Sequence, residues 1–119
     1  MQNYNDLKVW AKEHALTLNV YGVTKTFPKY ELYSLTNQLR RASSSIPANI
    51  AEGCGKNSQS EFAHFLNISL GSANERDYFL LLSKDLRYLP ETNFTELEDN
   101  INEIKAMLIS VINKVINNV

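Results

Sequence analysis

The sequence predicts an all-α protein, a single up-down-up-down antiparallel four-helix bundle spanning residues 1–119. Three observations predict it. Apolar and small residues recur at three- and four-residue spacings through nearly the whole chain, which places them on one helical face, and no stretch alternates with the period of a strand. Pro28, the turn from Cys54 to Asn57, and Pro90 divide the chain into four such stretches joined by short turns, the arrangement that makes successive helices antiparallel neighbours. A chain of 119 residues that is 44% hydrophobic is enough for one core and too short for two ordinary domains.

The first helix follows Asp6, a plausible N-cap, and stops at Pro28. It carries two apolar stripes, Leu7, Trp10, His14 and Tyr21 beside Val9, Leu16, Val20, Val23 and Phe27, which is wider than one core face requires. The second begins near Lys29 to Glu31 and runs through Leu32, Leu35, Leu39, Ala42, Ile46, Ile50 and Gly53. Pro47 lies inside it, without an N–H for the carbonyl of Ser43, so a kink or a break is expected there, with three preceding serines as local partners. Gly53 and Gly55 are expected to end the helix, glycine being the residue that adopts a left-handed C-terminal turn at least cost.

Ser58 and Glu61 form a capping box that starts the third helix, whose apolar face runs from Phe62 towards Leu89 and Pro90. Ser69, Gly71, Ser72 and Ala73 make a band of small residues at its middle, and a mid-helix glycine costs roughly 1 kcal/mol unless close packing compensates. A hairpin centred near Gly55 would set Ala42 near Ser69 and Leu39 near Ser72. Tyr78 to Leu82 puts apolar groups all round the helix, which a monomer's surface helix does not need. Thr95 and Glu98 suggest a second capping box, and Leu97, Ile101, Ile104, Leu108, Val111 and Val115 form a heptad-like seam in the fourth helix, which is expected to fray at Asn117 to Val119.

Twelve basic and thirteen acidic residues leave a net charge of -1, which removes the simplest argument for nucleic-acid binding but leaves local patches open. The single cysteine, Cys54, cannot form an internal disulfide; with no secretory pattern at the N-terminus and no apolar run near ~20 residues, a cytoplasmic protein outside the membrane is expected. Glu61 and His64 have the Glu-x-x-His spacing of dimetal bundles, but that chemistry needs two such motifs and one is present. Cys54 lacks an adjacent histidine, and no phosphate loop or nucleophile elbow appears. The expectation is therefore no catalytic residue, no cofactor and no metal. Arg40, Arg41 and Lys56, with Gln38, Asn49 and Asn57, suit either a phosphate backbone or an interhelical or intersubunit ion pair with Glu52, Glu61 or Glu75. Pro47, Gly53 and Gly71 are read as structural.

Several stretches together resemble one bacterial family, the 23S rRNA intervening-sequence proteins, themselves similar to the accessory protein of diversity-generating retroelements. The resemblance is carried by Asp6 to Trp10, Phe27-Pro28 with Glu31, Gln38 to Ala42, Ser45 to Pro47, Asn49 to Gly53, Glu61-Phe62 with Phe65-Leu66, and Gly71-Ser72. It implies a four-helix protomer without known catalytic activity that assembles into a ring-like homopentamer. Some family genes lie within intervening sequences of ribosomal RNA genes, and the retroelement relatives are basic and contact nucleic acid, which implies RNA or a ribonucleoprotein as partner. The chain departs from those relatives in its slightly negative charge, in Ser34 and Ser43 where Gly and Ala are frequent, and in Arg76 where an apolar residue is common. The sequence-level conclusion is a non-enzymatic oligomeric bundle serving as an RNA-associated accessory factor, with a purely structural protein-interaction scaffold as the alternative.

Overall fold

Helix α1 runs from Lys8 to Thr24, α2 from Asn37 to Cys54, α3 from Gln59 to Asp85 and α4 from Glu91 to Ile116 in the computed structural model, which describes residues 2–118. No strand occurs among the described residues. α3 is the central element, packed along α2 and α4, while α1 lies mainly on α2. The core is built from Val9, Leu16 and Val20 of α1, Leu39, Ile46 and Ile50 of α2, Phe62, Leu66, Ala73 and Leu80 of α3, and Leu97, Ile101, Ile104 and Leu108 of α4. The spacing argument therefore places these faces correctly. Val111 is the exception in the α4 seam: it is half-buried, and its neighbour Ile112 takes the buried position.

Helix ends differ from the sequence reading in ways that local hydrogen bonding explains. Asp6 is not the N-cap of α1. It closes a short 3-10 turn, Tyr4–Asp6, in which the Asn3 side chain accepts from the N–H of Asn5 at 3.0 Å, and Leu7 precedes the α-helix. α1 ends at Thr24, before Phe27 and Pro28. α2 is entered through a 3-10 turn at Lys29–Glu31 and a π-helical turn at Leu32–Thr36, where Ser34 departs from helical geometry. Ser58 does cap α3, its Oγ accepting from the N–H of Glu61 at 3.1 Å, and of the two reciprocal bonds of the box only this one forms among the described residues. The proposed box at Thr95 is overturned: Pro90 is the N-cap of α4, five residues earlier, and Thr95 sits inside the helix, donating to the carbonyl of Glu91 at 3.0 Å. α3 ends at Asp85 rather than near Leu89, through a turn in which Arg87 takes a positive φ of 65°. Asn117 and Asn118 follow the last helical residue, and Val119 lies outside the described residues.

Two readings of α2 also change. Pro47 does not break the helix, which continues to Cys54. The carbonyl of Ser43 that proline leaves without an intrahelical donor instead accepts from the hydroxyl of Thr17 on α1 at 3.0 Å. Gly53 is not a left-handed cap, since no glycine has a positive φ and the helix passes through it. It is there for closeness. A Cβ at Gly53 would lie 2.9 Å from the Cβ of Phe65 and 3.0 Å from Cδ1 of Phe62, so α3 approaches α2 across a missing side chain. Gly71, by contrast, is exposed within the protomer, and a Cβ there would meet nothing within 4 Å. The small band touches α2 through other members: Ser69 Oγ donates to the carbonyl of Ile46 at 2.9 Å, and Ser72 Oγ lies 3.0 Å from Ser45 Oγ. Ser69 thus meets Ile46 instead of Ala42, a register one helical turn removed from the expected one, because α2 continues to Cys54 and α3 starts only at Gln59.

Candidate functional site

Gln38, Arg41, Ser45, Asn49, Glu52 and Lys56 follow one another at three- and four-residue steps, so they make one row along α2 and its C-terminal turn. This row contains four of the five residues singled out for contact with nucleic acid or a subunit. Its middle is already engaged: the Asn49 amide donates to the carbonyl of Ser45 at 2.8 Å and lies 3.0 Å from its hydroxyl, which in turn reaches Ser72 of α3. Its lower end is engaged too, with Lys56 Nζ 3.8 Å from Glu52 and 5.1 Å from the ring centroid of Phe65. Gln38 and Arg41 are exposed.

Arg40 is the fifth, and the structure separates it from Arg41. Successive helical residues diverge by about 100° around the axis, and Arg40 turns to α1, where its Nε donates to Thr24 Oγ1 at 2.8 Å and its guanidinium stacks 5.0 Å from the ring centroid of Tyr21. Arg40 is thus a clamp between α1 and α2. Among the described residues neither arginine pairs with Glu52, Glu61 or Glu75.

The side chains considered for catalysis or metal binding do not converge. His64 is exposed and packs edge-on to Phe65 at 5.5 Å, His14 is exposed and stacks on Trp10 at 5.2 Å, and no group of three potential ligands gathers among the described residues. Cys54 is buried, and burial pushes its thiol above the usual range, so little of it is the reactive thiolate at neutral pH.

The polar centre of the bundle was not anticipated. Arg76 of α3 and Glu13 of α1 are both fully buried and meet at 2.7 Å, Nη1 to Oε1. Arg76 Nε reaches Asp77 at 3.2 Å, and Asp77 is bound by Lys105 of α4 at 2.6 Å, so one chain of charges links three helices. Glu13 Oε2 and Arg76 Nη2 are buried without a partner. Burial raises the Glu13 pKa, an effect the Arg76 charge and hydrogen bond partly offset. The sequence did hold a signal: Val9, Glu13, Leu16 and Val20 share helical spacing, which puts an acid on the core face, and Ala73, Arg76 and Leu80 put a base on the core face of α3 in the same way.

A second cluster ties the start of α2 to the α3–α4 turn. Tyr88 donates to Glu31 Oε2 at 2.9 Å, and its hydroxyl lies 3.3 Å from that of Tyr30. The bonds with Tyr30 and Glu31 hold the Tyr88 phenol well above the ordinary tyrosine range. Among the described residues, no helix is long and apolar enough to cross a membrane.

Comparison with known proteins agrees with this architecture. The family model of the 23S rRNA-intervening sequence protein matches residues 5–110. A protein of unknown function from the S23 ribosomal protein family of Bacteroides thetaiotaomicron VPI-5482, known from a crystal structure, superposes with a TM-score of 0.81 at 28% sequence identity, over 88% of this chain and 95% of that one. No curated protein matches the sequence.

Proposed function

Because the chain belongs to the 23S rRNA-intervening sequence protein family, we propose that it works without catalysis, as an oligomeric four-helix bundle that associates with RNA as an accessory factor of a nucleoprotein. The observation that carries assembly is exposed apolar surface. Leu18 on α1, and Ile68, Tyr78 and Leu81 on α3, all lie open in the protomer, Leu18 at 60% and Tyr78 at 57%. Soluble monomers rarely leave apolar groups so concentrated on two helices, and burying them at ~25 cal/mol per Å² favours association. A closed ring fits this chemistry because a head-to-tail interface that does not close grows filaments. Five copies is the number the family resemblance implies. RNA association is supported by the family and by Arg41, exposed and free of carboxylate partners among the described residues.

A scaffold that binds only protein is the second reading. It is favoured by α4, which carries Glu91, Glu96, Glu98, Asp99 and Glu103 against Lys105 and Lys114 and would repel a phosphate backbone. A salt titration of RNA binding separates the two, since neutralised phosphates make log affinity fall linearly with log salt. Steep salt dependence is expected, and no binding at low salt would overturn the RNA reading. Light scattering at micromolar concentration tests assembly: a mass several times 13.6 kDa is expected, and a monomer's mass would refute it.

A further inference from the structure

We infer that the corner of the bundle from Lys25 to Arg41 is a stacking platform for single-stranded RNA, with Tyr30 and Tyr33 as its base-binding surfaces. The inference rests on the RNA-associated reading above and goes further, naming the strandedness of the ligand and the side chains that take it.

Charge is unevenly distributed along the chain. Residues 21–41 hold Lys25, Lys29, Arg40 and Arg41 against the single acid Glu31, a net charge of +3 in a chain whose total is -1. Glu31 is occupied by the Tyr88 hydroxyl, and Asp85, the last residue of α3, lies 3.8 Å from Lys84. Lys25, Lys29 and Arg41 are exposed and form no ion pair among the described residues. Glu91 opens α4, just past the α3–α4 turn.

Aromatic surface coincides with this charge. The same 21 residues hold three of the six tyrosines. Tyr21 is covered by the Arg40 guanidinium, which leaves Tyr30 and Tyr33. At 77% and 91% exposure they are the most exposed of the large hydrophobic side chains among the described residues. Tyr30 is held by the hydroxyl contact with Tyr88, so its ring is oriented before any ligand arrives. Tyr33 lies in the kinked turn at Leu32–Thr36, next to Ser34, whose φ of -125° and ψ of -109° break the helical path before α2 begins. No more than about 10 Å of chain separates the two rings' backbones, so both can serve one short stretch of strand.

This combination fits unpaired nucleotides. Exposed rings gain from bases only when the base faces are free, as in single strands and loops, whereas an A-form duplex offers phosphates and 2′-hydroxyls but no base face. Each stacked base adds sequence-tolerant affinity, and the lysines and Arg41 supply the phosphate contacts that fix the strand.

The test is fluorescence polarisation with a labelled oligouridylate of about 12 nucleotides, within the usual range of single-strand site sizes, beside an RNA duplex of the same length. Tyr33→Ala is expected to weaken single-strand binding ~5- to 150-fold, the loss of one stacked base, without changing the salt slope, and Tyr33→Phe to bind like the parent. Lys29→Ala is expected to lower the slope by ~0.7. If the parent binds RNA but Tyr33→Ala binds equally well, or the duplex competes as well as the single strand, the platform is overturned while the RNA reading stands. If the parent binds no RNA at low salt, both fall. A change of assembly mass in Tyr33→Ala would instead assign this corner to a subunit contact and overturn the platform.

Discussion

Arg76 Nη1 lies 2.7 Å from Glu13 Oε1, and neither side chain has any solvent exposure. Removing one partner of such a pair leaves an uncompensated buried charge, whereas replacing both with apolar groups of similar volume is often neutral or stabilising. Glu13→Leu and Arg76→Met should each cost about 3–5 kcal/mol. The double variant should be far more stable than either. Urea unfolding of the four proteins closes the cycle, and additive losses would show that the two groups do not depend on one another.

The same pair sets a pH dependence. Burial raises the folded-state pKa of Glu13 above its ordinary value of 4.5, so the folded protein holds that proton more tightly than the unfolded chain. The resulting stability is fully present below the unfolded pKa and is lost as pH rises through the folded one. The stability difference between the parent and Glu13→Gln should therefore shift against the parent as pH rises from 4.5 upward. A difference constant with pH, measured by thermal unfolding in matched buffers, would contradict the shift.

Thr17 compensates for Pro47. Its Oγ1 lies 2.9 Å from the carbonyl of Glu13 and 3.0 Å from that of Ser43, and its one proton is shared between the turn of its own helix and the carbonyl that proline leaves open. Thr17→Val should cost about 1–3 kcal/mol, the desolvation of an unsatisfied buried acceptor. In a Pro47→Ala background the alanine N–H can serve Ser43, so the same substitution should cost clearly less. Equal costs in both backgrounds, by denaturant unfolding, would remove the compensation.

Two helical glycines should respond with opposite sign. Gly53→Ala forces a methyl to 2.9 Å from Phe65 Cβ and should destabilise by about 1–3 kcal/mol, the usual range for overpacking. Gly22→Ala meets nothing within 4 Å in a helix and should stabilise by about 0.5–1 kcal/mol. Melting temperatures should move down for the first and up for the second.

Within the candidate site, the row Gln38, Arg41, Asn49 and Lys56 could be drawn from helical spacing alone, because side chains at such steps must share a face. The division of labour between adjacent Arg40 and Arg41 could not, since it depends on Thr24 and Tyr21 arriving from another helix. Tyr30 and Tyr33 gave no periodic signal, lying in a 3-10 turn and in the kinked turn around Ser34, where the period of 3.6 fails.

By itself the sequence determined the four helices, the residues of their buried faces apart from Leu32 and Val111, and the start of α3 at Ser58, because periodicity and local capping act within a few residues of chain. Only the tertiary structure decided the rest. Gly53 reads as a helix terminator until Phe65 and Phe62 are found against it, and Pro47 reads as a kink or a break until Thr17 supplies the missing donor. Arg76 looks misplaced on a core face until Glu13 meets it across 63 residues of chain. In each case the deciding partner comes from another helix, so the residue's role is set by a packing register that no local pattern encodes.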